Sequence, residues 1–240
     1  MYLYTEIKGR FTMFQGKMKA VTFSYDDAVT QDLRLIDMLN RYGLKATFNI
    51  NSELLGKPNT LVREGSTVNH NKFYPEEVPY IYKGHEIAVH SLTHPDLTKC
   101  EDAEVIRQVE EDRKNLTALA GYEVVGMAYP CGPNDDRVAE LIKNHTGVKY
   151  SRTVTESFSF DPQDNLYRFN PTVYHRNWDK MFSLAEEFIN LKAESPKVFY
   201  IWGHSYEFDI ADEWDKFEEF CKLISGKDDI YYGTNTEVLL

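Results

Sequence analysis

Glu86-Ile-Ala-Val-His-Ser-Leu-Thr-His94 decides how this chain folds. A short apolar run with strand character leads directly into two histidines four positions apart. The run reads as a buried strand, and its polar exit places two imidazoles where they can turn toward one point. Working upstream, Lys19-Ala-Val-Thr-Phe23 and Ala46-Thr-Phe-Asn-Ile50 have the same character, and the first leads into Ser24-Tyr-Asp-Asp27. Between them Leu33, Ile36 and Leu39 mark one face of a helix that stops at Gly43. Downstream, Thr98-Lys-Cys-Glu101 has the pattern of a capping box opening a helix that runs to Ala120 before Gly121. Further strands are expected at Val124–Ala128, Val148–Tyr150, Tyr167–Phe169, Val198–Trp202 and Ile230–Tyr232, with helices around 135–145, 179–193 and 212–224. Residues 51–84, with Pro58, Gly65, Pro75 and Pro79, read as an irregular loop with short helical turns. Repeated strand and helix predict an α/β protein with a parallel sheet, either closed as a barrel or open and doubly wound.

Bulk composition narrows the function. The 240 residues suit one domain spanning 1–240, and the formal net charge of −11 disfavours nucleic acid and anionic membrane surfaces. Sixteen tyrosines and fourteen phenylalanines suit an aromatic core or a ring-lined cleft. Cys100, Cys131 and Cys221 are too few and too scattered for a disulfide framework or a zinc ribbon, which points to a reducing compartment. The first ten residues lack a basic stretch followed by an apolar run, so the expectation is a cytoplasmic protein, or an exported one if a leader has been removed. No stretch reads as a membrane span.

The polar residues fall in a pattern. Asp26 and Asp27 follow the first strand, His90 and His94 the third, Tyr129-Pro-Cys-Gly132 the fourth, and His204 the strand ending at Trp202. In parallel α/β architectures the carboxyl ends of the strands share one face, and that face builds the site. Two imidazoles and a carboxylate suffice to hold one divalent ion while leaving positions open. A spare carboxylate is then free to act as a base.

These four motifs, in this order and spacing over residues 18–205, resemble those of the polysaccharide deacetylases, the NodB-homology domain of carbohydrate esterase family 4. The resemblance implies a distorted (β/α) barrel, usually of seven strands, that hydrolyses N-acetyl or O-acetyl groups on sugars with one divalent metal. It implies metal ligation by Asp27, His90 and His94, with Asp26 as general base and His204 as the acid that protonates the leaving group. It places an oxyanion-binding amide at Cys131, in a substrate-facing loop with Tyr129, Pro130 and Gly132. Zinc is the expected ion, though cobalt, nickel or iron(II) suit the same donors.

Ser91 or Thr93 are expected to orient the imidazoles, Asn51 to touch substrate, Tyr174-His175 to touch substrate or His204, and His70, His85 and His145 to face solvent. Two departures stand out. Ala128 occupies the place of an arginine that holds the catalytic aspartate in many members, with Arg152 and Arg168 as candidate substitutes. The family's fourth motif, an Asp and Trp pair that tunes the catalytic histidine, is not recognisable. The expected substrate is an acetylated carbohydrate or a small acetamide. Hydrolysis of another C–N bond and a non-catalytic carbohydrate-binding role remain alternatives.

Overall fold

A computed structural model describes residues 13–240. The main sheet is built from β1 (Lys19–Asp26), β2 (Ala46–Ile50), β5 (Glu86–Val89), β6 (Gly126–Ala128), β7 (Tyr150–Arg152), β8 (Val173–Tyr174) and β9 (Lys197–Gly203). Their order is β7-β6-β5-β2-β1-β9-β8, and every pairing is parallel. A further short strand, Ile230–Tyr232, pairs with Lys19–Val21, while β2 takes the same strand from Phe23 onward. The sheet curls until its two edges approach. One extended segment laces the seam: Phe169 exchanges bonds with Ser151 and Thr153 of the β7 side, and Thr172 donates to Tyr200 of β9. The architecture is therefore a distorted seven-stranded barrel, and the open doubly wound alternative is excluded.

Alternation along the strands separates two interiors. Val21, Phe23 and Tyr25 of β1 and Phe199 and Ile201 of β9 face outward into the main apolar core. That core is covered by α1 (Asp32–Arg41), α3 (Asp102–Ala120), α4 (Asp136–His145), α5 (Trp178–Asn190) and α7 (Trp214–Ile224), with α2 (Val78–Ile81) and α6 (Glu207–Ile210) as single turns. The inward positions are polar above an apolar floor. Ala20, Phe169, Val198 and Tyr200 make that floor, with Val238 of α8 (Asn235–Leu239) beneath. Above it Asn235 accepts from Thr22, and buried Glu86 accepts from Thr47, Tyr150 and Thr236. Every inward polar group named here has a partner, as burial demands. The column rises through Ser24 and Asn49 to Asp26 at the mouth.

Several boundaries differ from the sequence reading for physical reasons. Leu33 is exposed, and α1 buries Leu35, Ile36, Met38 and Leu39 instead. Thr98 does not cap α3: Asp96 accepts from the Thr98 amide and caps a separate turn over Leu97–Lys99, so the helix starts at Asp102. Gly121 ends that helix in the left-handed region, as expected. Residues 166–168 form a helical turn, with only Phe169 pairing as strand. The supposed loop 51–84 contains a hairpin, β3 (Thr60–Arg63) and β4 (Ser66–Asn69), paired antiparallel. Its turn residues Glu64 and Gly65 both have positive φ, the geometry of a two-residue hairpin turn.

Candidate active site

The expected residues converge at the carboxyl ends of the strands, around a cavity of about 710 Å³. Its lining includes Asp26, Asp27, His90, His94, Tyr129, Cys131, Gly132 and His204. Successive residues of a strand point to opposite faces, so two adjacent aspartates share one cavity only if the chain turns between them. It does: Asp27 and Ala28 have φ of 87° and 52°. The histidine loop is bent in the same way, with left-handed backbone at Ser91 and His94. Asp112 and Asn51 hold it. Asp112 accepts from the amides of His90 and Ser52, and Asn51 donates to the carbonyls of His90 and Ser91.

The donor set fits one divalent ion. Asp27, His90 and His94 each offer a ligand atom, all within 4.8 Å of one another. His90 Nδ1 lies 2.9 Å from the Ala128 carbonyl and donates to it, which leaves Nε2 with a free lone pair. His94 Nε2 lies 3.8 Å from Asp27 Oδ1, while its Nδ1 lies 3.5 Å from Cys131 Sγ. Burial lowers the pKa of both imidazoles, that of His90 to about 4, so both are neutral and able to bind a cation. Burial alone would raise the Asp27 carboxyl, but Lys72 and the bond from His70 hold it well below its ordinary value.

Asp26 is answered by an arginine from β7, the neighbour of the strand that carries Ala128. Arg152, fully buried at the end of β7, places Nη2 2.6 Å from Asp26 Oδ1 and 2.5 Å from Oδ2. It is the register partner of Ala128, whose small side chain shares its face of the sheet. The guanidinium also stacks 4.6 Å from the Trp202 ring. Burial would raise the Asp26 carboxyl; Arg152, His90 and His204 together keep it below the usual carboxylate range. Arg168, the other candidate, bonds Asn134 and Asp136 instead.

His204 is held by a residue that sequence reading missed. Glu207, buried one helical turn later, lies 3.1 Å from His204 Nδ1 and 2.9 Å from His175 Nε2. Arg63 of the hairpin takes its other oxygen at 2.7 Å. Burial opposes charge on His204, but Glu207, with Asp26 and Asp27, pushes its pKa up to about 9. His204 Nε2 then faces Asp26 Oδ2 at 3.8 Å. Gly203 permits this packing, because a Cβ there would meet the His175 ring at 2.5 Å. The signal for Glu207 was its spacing three residues after His204, across the start of a helical turn.

Several expectations fail. His175 is fully buried, does not line the cavity, and reaches His204 only through Glu207. Asn51 braces the histidine loop and is not part of the lining. Ser91 accepts from the His94 amide, and Thr93 bonds Gln108, so neither touches an imidazole. Pro130 is not among the lining residues, whereas Cys131 and Gly132 are, both with positive φ. A side chain at 132 would strike Val154 at 2.6 Å. His70 and His85 are buried, each in a bond: His70 with Asp27, and His85 with the Ala46 amide. Apolar ring faces and neighbouring acceptors, invisible in local sequence, account for both.

A curled parallel sheet with this donor set at its carboxyl ends defines a barrel hydrolase scaffold of the carbohydrate esterase family 4 type. The family model for polysaccharide deacetylase matches residues 15–150, more than half the chain, and the chain belongs to that family. It is 28% identical over 127 residues to a peptidoglycan-N-acetylglucosamine deacetylase of Listeria monocytogenes serotype 1/2a, covering 52% of this chain and 24% of the relative. It is 27% identical over 130 residues to a chitooligosaccharide deacetylase of Rhizobium leguminosarum bv. phaseoli, covering 54% and 48%. The matches thus span between a quarter and a half of those relatives. In fold it resembles a family 4 carbohydrate esterase from Streptomyces lividans, with a TM-score of 0.56, 16% identity and coverage of 90% and 92%. It also resembles a family 4 pseudoenzyme from Bacillus anthracis, with a TM-score of 0.53, 16% identity and coverage of 92% and 66%. Among the described residues no helix is long and apolar enough to cross a membrane.

Proposed function

We propose that the protein is a metal-dependent deacetylase that removes acetyl groups from N-acetylated sugars or short oligosaccharides. The observation that carries this reading is the pairing at the donor set: an ionised Asp26 held by Arg152 and a protonated His204 held by Glu207, with 3.8 Å between Asp26 Oδ2 and His204 Nε2. Asp27, His90 and His94 would hold one divalent ion, zinc by preference, whose chemistry is to polarise the acetyl carbonyl and acidify water. Asp26 takes the proton of the attacking water. Arg152 fixes the direction in which the carboxylate points. The Cys131 amide, on a left-handed turn and outside the backbone pairings of the loop, offers a hydrogen bond to the developing oxyanion. His204 gives its Nε2 proton to the departing amine, and Glu207 keeps it charged until then.

Tyr129, Tyr174, Trp202 and Tyr206 line the cavity with rings of the kind that pack against sugar faces. Acetate release from chitooligosaccharides, acetylated xylan and small acetamides tests the reading. We expect release from N-acetyl sugars that disappears on chelation and returns with zinc or cobalt. Activity untouched by chelation would overturn it. Metal binding without release from any substrate would favour a non-catalytic carbohydrate-binding role.

A further inference from the structure

The β3–β4 hairpin reaches into the donor set. His70 follows β4 directly and is buried, with Nε2 3.1 Å from Asp27 Oδ2. A ring nitrogen facing a carboxylate must carry its hydrogen, so Nδ1 of a neutral ring is left as an acceptor. Asn59, just before β3, supplies the matching donor: its Nδ2 lies 3.1 Å from His70 Nδ1. The two residues are also paired through the backbone, from the His70 amide to the Asn59 carbonyl. The Tyr206 ring closes the other side of the imidazole at 4.9 Å in an edge-on arrangement. Two residues on, buried Lys72 donates to the Asp27 carbonyl at 2.6 Å, and it bridges to Val29 in the loop after β1.

This arrangement divides the Asp27 carboxylate. Oδ2 is occupied by His70, while Oδ1 faces His94 Nε2 at 3.8 Å and has the Lys72 ammonium 3.6 Å away, beyond hydrogen-bond reach. We propose that Asn59 and His70 form a positioning relay that presents Asp27 to the metal through Oδ1 alone, and so tie metal loading to the seating of the hairpin. The inference rests on the reading that Asp27, His90 and His94 hold a divalent ion. Its consequence reaches the substrate side, because the same hairpin carries Leu61 and Arg63 of the cavity lining. Linkage is reciprocal: whatever the seated hairpin adds to metal affinity, the bound ion returns to the hairpin.

The test uses the full chain, zinc and no substrate. Zinc affinity is measured by chelator competition, and hydrogen exchange is followed over residues 59–72 with and without zinc. In the unaltered protein zinc should slow exchange across the hairpin. His70→Ala should weaken zinc binding about 10- to 100-fold, the usual effect of losing an outer partner of a metal ligand, and should abolish the zinc-dependent protection. His70→Gln, whose amide nitrogen reaches nearly as far as Nε2, should restore most of the affinity. Asn59→Leu, at an exposed position, should weaken binding in the same direction by less, which covers the case in which His70→Ala fails to fold. Zinc affinity in the Asn59 and His70 variants equal to that of the unaltered protein, or hairpin exchange indifferent to zinc, would overturn the relay while leaving the metal site standing. No zinc binding by the unaltered protein would overturn both.

Discussion

The two halves of the site are assembled on different plans. The donor half, Asp27, His90 and His94, comes from two chain segments, each placing its side chains by a sharp turn at the end of a strand. The half we assign to proton transfer, Asp26 and His204, depends on charges supplied by other side chains: Arg152 of β7, 126 positions on, and Glu207 of the turn that follows His204. The contrast teaches that short-range spacing places the five central groups, whereas the charge that steadies Asp26 reaches it only through the fold. Here the guanidinium beside Asp26 comes from β7, and its register partner on β6 is the small Ala128.

Breaking the donor half should have the largest effect. Asp27→Ala is expected to abolish zinc binding in a chelator competition and to reduce acetate release to background. Breaking the proton-transfer half at its centre should spare the ion: Asp26→Asn is expected to cut kcat by about 10²- to 10⁴-fold with zinc affinity little changed. Parallel loss of both would show that the two halves are not separable. Arg152→Met comes next. It leaves a buried carboxylate without its partner, so we expect about 3–5 kcal/mol of lost stability by denaturant titration, and a fall in kcat rather than a rise in KM.

Glu207→Gln should act most gently, and only on one side of the pH profile. In the proposed mechanism His204 works protonated, so activity is expected to fall as pH rises through its pKa. That pKa stands at about 9 against an unfolded value of about 6.5. Its contribution to stability is therefore fully present below about pH 6.5 and is lost as pH rises toward 9. Without Glu207, burial dominates and the alkaline limb of kcat against pH should move down by more than one unit. An unmoved limb would separate Glu207 from His204.

The same contrast explains what was legible in the sequence. The parallel α/β sheet, its major strands and the five polar residues that meet at its carboxyl ends follow from local patterns, because strand burial and the spacing of a short motif are encoded over a few neighbouring positions; closure into a barrel comes from the family resemblance. Arg152 could be named only as a candidate, since its pairing with Asp26 bridges 126 positions. His70 looked like a loop histidine because its partner, Asp27, is brought near only when the hairpin folds back. The hairpin itself carried a readable signal, β-formers either side of Glu64-Gly65, which the surrounding prolines masked. Residues 167–169 misled in the opposite sense: apolar and aromatic residues suggested a strand where a single residue pairs across the seam.

The floor of the barrel sets the order in which the molecule can be finished. Thr22 finds its partner Asn235 213 positions downstream, and Glu86 waits for Thr236, 150 positions on. During synthesis the strands can emerge and pair one by one, yet the buried Glu86 remains open to water until the helix Asn235–Leu239 docks. A nascent chain that has emerged only as far as residue 229 would expose a half-built, polar interior until Asn235–Leu239 follows and covers it.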